Sequence, residues 1–329
     1  MPTHRRADRL GQVLRPLLAD PATAELVVVV DGADEATEQL LAALAQEDPR
    51  LQWHVLEPSV GTARAKLVGA RAATADVLVL LDDDVEALPG LVGRHLQHHV
   101  DRSGLVVVGS MPVQPWPEPD PLDSLAASIY RRNYEHACEL YSDDPSQVLD
   151  GLWGGNISVR RTDYLALAPQ ILRYPRLAHE DGHFGRVAAA AGLRGVYDPD
   201  AAAKHLHRRT WAGMLRESER QGRGQRALHL LHEPGTPFLA DELPEPLHPL
   251  VSQVVRRSDR PGARRALLGS LRRLTLVSLT LGRTQTAVRL AFAATQITRR
   301  IGRRDREVDD LVAAKAAEAA ADPATSPQG

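Results

Sequence analysis

Val77-Leu-Val-Leu-Leu-Asp82-Asp83-Asp84 is the run on which the fold turns. Five apolar residues read as a buried strand, and three consecutive carboxylates end it abruptly. Side chains alternate along an extended segment, so Asp82 and Asp84 point to one side and Asp83 to the other. Carboxylates crowded at a strand end repel one another, and a hard divalent cation offsets that repulsion best. Ligands of open α/β sheets sit at the carboxyl ends of the strands, where this cluster falls. A solvated acidic turn fits the spacing as well.

Strand-like and helix-like stretches alternate on both sides of this run. The pattern predicts helices over 7–18, from Asp34 to 46, over 62–73 and over 88–99, the last with Pro89 near its first turn. Strands are expected at 26–30, 53–56, 77–81 and 105–110. Such alternation predicts βαβ units, a mostly parallel Rossmann-type sheet and flanking helices. Residues 112–123 are Pro-rich and mark a break. A helix at 122–140, a strand at 157–160, a helix at 180–191 ended by Gly192 and a strand at 195–197 follow. Residues 233–249 read as a Pro-rich linker, 250–311 as a basic helical appendage interrupted near Gly282, and 312–329 as a disordered tail.

The 329 residues are 43% hydrophobic but only 4% aromatic, so aliphatic packing must build the core. The net charge of -2 hides an asymmetry. Between Arg256 and Arg304 stand 13 arginines, no lysine and one acid, leaving the rest of the chain strongly acidic. That asymmetry does not suggest nucleic acid as a partner. Cys138 is the only cysteine, which excludes an intrachain disulfide and fits a reducing, cytoplasmic setting. The first residues lack the apolar stretch of a signal peptide, and no window is apolar enough to span a membrane. Richness in Ala and Arg points to a high-GC bacterial source.

Several other clusters carry chemistry, each with a plainer alternative. Asp31, at the end of Val27–Val30, could accept a hydrogen bond from a nucleotide base, or simply form a capping turn. Ser59-Val60-Gly61-Thr62-Ala63-Arg64 opens a helix in a way that suits an anion, although an exposed helical arginine is equally consistent. Glu180 and Asp181, inside His179-Glu-Asp-Gly-His183, offer a general base or merely acids favoured at a helix N-terminus. His205 and His207 share a face of an extended segment, as metal ligands or as a surface pair.

Taken in order, these segments resemble the inverting family 2 glycosyltransferases of the GT-A fold. Pro2-Thr3-His4-Arg5 looks like the segment that ends the family's first strand. Val28-Val-Val-Asp31-Gly32 resembles its second strand and base-contacting Asp, and Gly61-Thr-Ala-Arg64 its Ala-Arg-Asn stretch. Leu81-Asp82-Asp83-Asp84 is similar to its Asp-x-Asp metal motif. Gly154-Gly155-Asn156 resembles its acceptor-side segment, Glu180-Asp181 its Glu-Asp pair, and His205 the His after its last core strand. The likeness spans about residues 1–230 and implies a GT-A-like domain over 1–232. Its nucleotide-sugar half would be about 1–111 and its acceptor half about 112–232.

The resemblance implies these roles. Asp82, Asp84 and His205 would hold Mn²⁺ or Mg²⁺. Thr3, Asp31, Arg64, Asp82 and Asp83 would bind the donor, with UDP taken as its nucleotide. Asp181, with Glu180, would take the acceptor proton. Trp153, Gly155 and Asn156 would shape the side where a hydroxyl acceptor, lipid-linked or small, is held. Two departures matter. The family's first strand should precede Pro2, so an upstream apolar strand is expected in the natural product. The Gln-x-x-Arg-Trp motif of processive synthases is absent, with Gln221-Gly-Arg-Gly-Gln225 in its place, so non-processive transfer is expected. A nucleotidyltransferase and an inactive GT-A module are the rival readings. The basic C-terminal helices are expected either to pack on the catalytic domain or to touch the inner face of a membrane.

Overall fold

A computed structural model of the chain describes residues 1–114, 118–236, 238 and 261–321. Strands β1 (Pro2–Thr3), β2 (Leu26–Asp31) and β3 (Leu51–Leu56) pair in parallel, connected by helices α1 (Ala7–Ala19) and α2 (Glu35–Glu47). Helix α3 (Thr62–Ala72) then leads to a second group of strands. These are β4 (Val77–Leu81), β7 (Asn156–Arg160), β6 (Leu105–Gly109) and β8 (Arg194–Asp198), in that spatial order. Strand β7 is antiparallel to both neighbours, while β6 and β8 are parallel. A short antiparallel ribbon of β5 (Val85–Ala87) and β9 (Ala203–His205) holds the segment after Asp84 against His205.

The apolar runs explain the layering. Val27, Val28, Val29 and Val30 are all buried, because helices cover both faces of β2. Helix α1 buries one stripe, Leu10, Val13, Leu14 and Leu17. Two hydrophobic clusters result. One is built around Leu10, Leu14, Leu41 and Leu91, the other around Leu67, Val106, Val159 and Phe184.

Two sequence expectations need correction. The helix expected from 88 begins later, as α4 (Leu91–His99), because Gly90 adopts a left-handed conformation at φ 83° and Val85–Ala87 is claimed by the ribbon. The tail expected to be disordered from 312 is helical as far as Ala321. Alanine, a strong helix former, dominates it. Most of the Pro-rich linker, 233–249, lies outside the described residues.

Helices α5 (Pro121–Asp143), α6 (Gln147–Asp150), α7 (Arg161–Ala166), α8 (Ala168–Ile171), α9 (Glu180–Ala190) and α10 (Trp211–His232) lie in the segment expected as the acceptor half. Then come α11 (Pro261–Thr280), α12 (Thr284–Arg303) and α13 (Glu307–Ala321). They pack directly on α5 and α10. A Cβ at Gly222 of α10 would stand 2.0 Å from the Arg299 carbonyl, and one at Gly302 of α12 would stand 2.0 Å from the Glu219 carbonyl. Two glycines thus let the backbones of α10 and α12 touch. Gln221, in the segment that replaces the processive motif, accepts a hydrogen bond from Arg299 at 2.7 Å.

A buried polar network ties β7 to its surroundings. His95 Nε2 donates to Asn156 Oδ1 at 2.9 Å, and its Nδ1 accepts from the Ser158 hydroxyl at 2.9 Å. His99 Nε2 donates to the same hydroxyl at 2.9 Å. Burial pushes the His95 pKa down to about 4 from its ordinary 6.5, so it is neutral in the folded chain. Between those values the unfolded chain binds more protons, and stability falls as pH drops through this window. Glu180 and Asp181 shift the other way and oppose this trend, so His95 is read by difference. His95→Gln should remove about 2 kcal/mol of the stability change between about pH 7 and pH 5. Urea unfolding at both pH values measures it, and an unchanged pH dependence would refute the assignment.

The two strand groups do not meet edge to edge. Strand β1 pairs with β2 at Pro2↔Val29 and Thr3↔Val30, and the Met1 ammonium donates to the Val27 carbonyl at 2.9 Å. Burial, then the Lys66 charge, bring that ammonium down to about pKa 5. Beyond Met1 a cavity of about 270 Å³ opens, lined by Leu26 and Val27 of β2, Leu78 and Leu80 of β4, and Ala70 and Leu96. Among the described residues β4 pairs with β7 alone, through its even-numbered positions. By alternation the amides and carbonyls of Val77, Val79 and Leu81 face the cavity. About five apolar β-branched residues joined ahead of Met1 should therefore seat between β2 and β4 and raise the melting temperature by about 5 °C or more. A control extension alternating Lys and Glu should not. Equal melting temperatures for the two would show that the slot takes no strand.

Candidate active site at the carboxyl ends of the strands

The acidic run leaves β4 and turns at once. Its three carboxylates meet three different partners. Asp82 forms an ion pair with Lys66 Nζ at 2.9 Å. Asp83 accepts from the Thr3 hydroxyl at 2.8 Å and lies 3.9 Å from Arg6. Asp84 faces His205 Nε2 at 3.3 Å and His207 Nδ1 at 3.4 Å, with Arg6 at 3.8 Å. Burial would raise the Asp84 pKa, but the hydrogen bonds from His205 and His207 outweigh it and hold the carboxyl well below the usual range.

Asp84, His205 and His207 each offer one ligand atom, and these atoms lie within 4.8 Å of one another. Among the described residues they are the group with metal-site spacing. Two imidazoles and a carboxylate suit Mn²⁺. The remaining ring nitrogens, His205 Nδ1 and His207 Nε2, are buried without a hydrogen-bond partner. The residues therefore fit a divalent cation. Of the expected ligands, the structure brings Asp84 and His205 together and adds His207 beside them, while Asp82 pairs with Lys66. The signal for His207 was already in the alternation of residues 205 and 207.

Lys66 was missed as a site residue. It lies on the buried face of α3, 8% exposed, where it also donates to the Gly154 carbonyl at 3.1 Å. Burial alone would lower its pKa, but Asp82 and then Asp181 hold it above the ordinary lysine range. Its sequence signal is its place on the stripe with Gly69, Ala70 and Ala73, at helical spacing from residues that must be buried. Arg64, expected to bind the donor, is exposed, and lines an adjoining cavity of about 490 Å³ with Asp31, Arg176, Arg220 and Lys315.

Asp31 is buried and accepts from Ser59 Oγ, Val60 N and Gly61 N at 2.9, 2.6 and 2.9 Å. A carboxylate has about four acceptor positions, so about one remains for a ligand. Gly61, at φ 92°, makes the turn that places these two amides. Thr3, expected at the base, spends its hydroxyl on Asp83.

Glu180 and Asp181 open α9. Asp181 Oδ2 accepts from the Gly154 amide at 2.9 Å, and a Cβ on Gly154 would sit 2.9 Å from the Asp181 carboxyl carbon. Glycine at 154 is thus required by the acid it supports. Burial raises both carboxyls; Asp181 adds to the rise of Glu180, while Lys66 opposes that of Asp181. A cavity of about 420 Å³ brings Glu180 together with Thr3, Asp31, Asp82, Asp83, Asp84, Arg6 and Arg220.

The acceptor-side expectations divide. Trp153 packs against Tyr130 and Tyr134, with ring centroids 5.6 and 5.2 Å apart. Tyr130 in turn packs against the rings of His205 and His207 and lies under the Arg209 guanidinium at 4.4 Å. Gly155 lies so close to Asp82 and Met111 that a Cβ would meet Asp82 Oδ2 at 3.1 Å and Met111 Sδ at 2.8 Å. Asn156 is not at the site. It is fully buried, and its amide is used by His95, the Ser110 carbonyl at 3.1 Å and the Ala201 carbonyl at 2.9 Å.

The family model described as Glycosyl transferase family 2 matches residues 1–164. The chain belongs to glycosyl transferase family 2. It is a glycosyltransferase with a GT-A-like fold, and its C-terminal helices are joined to that fold. A glucosyl-dolichyl phosphate glucuronosyltransferase from Haloferax volcanii is 26% identical over 238 residues, 68% of this chain and 71% of that protein. A mannosyltransferase from Pyrobaculum calidifontis, solved with GDP-Man and Mn²⁺, superposes with a TM-score of 0.54 at 16% identity. The match covers 89% of this chain and 84% of that one.

The geometry separates the two outer carboxylates of the acidic run. His207→Ala and Asp84→Ala should each weaken Mn²⁺ binding by about tenfold or more, whereas Asp82→Asn should weaken it far less. Calorimetric titration of Mn²⁺ with a nucleotide diphosphate present measures this. Equal losses in the Asp82 and Asp84 variants would return Asp82 to the ligand set.

Proposed function

We propose that this family 2 glycosyltransferase moves a sugar from a nucleotide-diphosphate sugar to an acceptor hydroxyl, with inversion and one transfer per encounter. The observation that carries this reading is the meeting of His205 and His207 with Asp84, which lines a cavity together with Glu180. Those three residues would hold Mn²⁺ or Mg²⁺. A bound ion there supplies Lewis-acid neutralisation of the diphosphate leaving group. Arg6, beside Asp83 and Asp84, and Lys66, beside Asp82, add fixed positive charge. Asp31 supplies the base-side acceptor, with UDP as the proposed nucleotide. The cations at Arg64, Arg176 and Arg220 suit the charge of the donor.

Asp181 is the proposed general base. The Gly154 amide fixes its carboxylate, and although burial raises its pKa, Lys66 opposes that rise. Glu180, pushed up by burial and by Asp181, is the poorer base at neutral pH. Trp153 and Tyr130 offer aromatic faces on which an acceptor sugar can pack. The Haloferax relative is named for a glucosyl-dolichyl phosphate acceptor, and a lipid-linked hydroxyl is the acceptor class we favour.

Asp181→Asn keeps the shape and the Gly154 contact but cannot take the proton. Turnover should fall by about two to four orders of magnitude with donor affinity nearly unchanged. The assay follows release of nucleotide diphosphate across UDP-, dTDP- and GDP-sugars. Release of pyrophosphate would instead identify a nucleotidyltransferase. Normal turnover in Asp181→Asn, with loss in Glu180→Gln, would transfer the role to Glu180.

A further inference from the structure

Helices α11 and α12 form an antiparallel hairpin with its tip at Gly282, where φ is 69°. Its inner face is settled by contacts. Leu271, Ala287, Ala291 and Ala294 pack on Leu122, Leu125 and Ala126 of α5 and on Trp211 and Met214 of α10. The outer face is unusual for a helix in water. Leu274 and Val277 on α11 and Leu281 in the turn after it, with Val288 and Phe292 on α12, are 39 to 63% exposed. Meanwhile Thr275 and Ser278, small polar residues of the same turns, are buried, with Thr275 0% exposed. Their spacing of three to four residues makes the exposed side chains continuous stripes on adjacent helices. This is the reverse of the arrangement that burial in a water-soluble core would select.

The rim of the stripe is basic. Arg272, Arg273, Arg283 and Arg289 are all exposed. None makes an ion pair with a described residue, in contrast to Arg223 and Arg226 of α10, which hold Asp305 and Asp309. No acidic residue lies between Pro261 and Arg304. Apolar side chains bordered by unpaired arginines match a surface with acyl chains below and anionic headgroups above. No described helix is long and apolar enough to cross a membrane, so the match is to the interface alone. The hairpin also sits beside the site: Ile129 of α5 packs into its cluster, and the next residue, Tyr130, touches His205 and His207.

We propose that the tip of the α11–α12 hairpin is a membrane-docking surface. Leu274, Val277, Leu281, Val288 and Phe292 enter the headgroup region of an anionic bilayer, and Arg272, Arg273, Arg283 and Arg289 contact its phosphates. The surface is defined without reference to catalysis. It stands whether or not the acceptor is lipid-linked, and it is tested apart from activity.

The experiment is co-sedimentation of the full chain with vesicles of phosphatidylcholine containing phosphatidylglycerol, beside vesicles of phosphatidylcholine alone. Binding to the anionic vesicles should fall by about tenfold or more between about 0.1 M and 1 M salt. Leu281→Asp with Phe292→Asp should cost about tenfold in partitioning at low salt. Both positions are exposed, so an unchanged melting temperature confirms that the fold survives. Arg273→Glu with Arg283→Glu keeps the apolar stripe and should abolish the preference for anionic vesicles. Failure to bind at low salt would overturn the proposal, as would equal binding by the wild type and the Asp variant. Sedimentation velocity covers the remaining occupant. A stable dimer that the Asp substitutions dissolve would assign the stripe to a second copy of the chain and overturn membrane docking.

Discussion

One buried ammonium makes the rest of the site possible. Lys66 sits among Asp82, Glu180 and Asp181, carboxylates contributed by the end of one strand and the start of a distant helix. Like charges this close cannot all remain ionised without compensation. Lys66 supplies it from the interior side, while Arg6 lies beside the neighbouring Asp83 and Asp84 on the cavity side. The site is therefore divided. Asp82 and Asp181 are tied to a fixed cation, which orders them but occupies them. Asp84 is tied to imidazoles, which a metal can take over as ligands. Removing Lys66 would free Asp82 and at the same time raise Asp181 further, so these two carboxylates are coupled through one side chain.

Much of this was legible because the signals were local. The run at 77–84, the Val-rich strand ending at Asp31 and the acids opening α9 each announce themselves within a few residues. The α/β alternation followed from periodicity, and element ends came within a few residues of those observed. What escaped depends on distant contacts. Lys66 reads as an ordinary helical cation until the sheet brings Asp82 and Gly154 over it. Asn156 sits beside two glycines near the site, yet its amide is consumed by His95 and two carbonyls, making it a strut. The ribbon of β5 and β9, three residues a side, is too short to show a period. Arg64 and Lys66 are two positions apart, and only helix phase decides which enters the interior.

Strand β4 carries the acidic run, but on its other edge the pairing that would brace it is missing among the described residues. Its position is set by β7 on one side and by apolar contacts on the other. Met1 and Lys66 both border the open slot. Lys66 also binds Asp82, so the packing of the slot and the electrostatics of the site share a residue. A strand seated in the slot would press on α3 from the face that carries Lys66, and its effect would reach Asp82 and Asp181 without touching them.

The basic C-terminal region, a single feature in the sequence, resolves into two populations with different physics. Arg299 and Arg303 meet glutamine side chains of α10, at 2.7 Å each, where Gly222 and Gly302 have brought the backbones together. Burial lowers the Arg299 pKa to about 10, the mark of a cation held in the interface. The arginines of the hairpin tip have no such partner and border exposed leucine, valine and phenylalanine. Charge along a sequence counts these groups equally. Depth separates them: the first set fastens α12 to the helix that follows His205 and His207, and the second is left available beyond it. The first attachment makes the second consequential, because a hairpin docked rigidly on α5 and α10 would orient the whole active site relative to any surface its tip engaged.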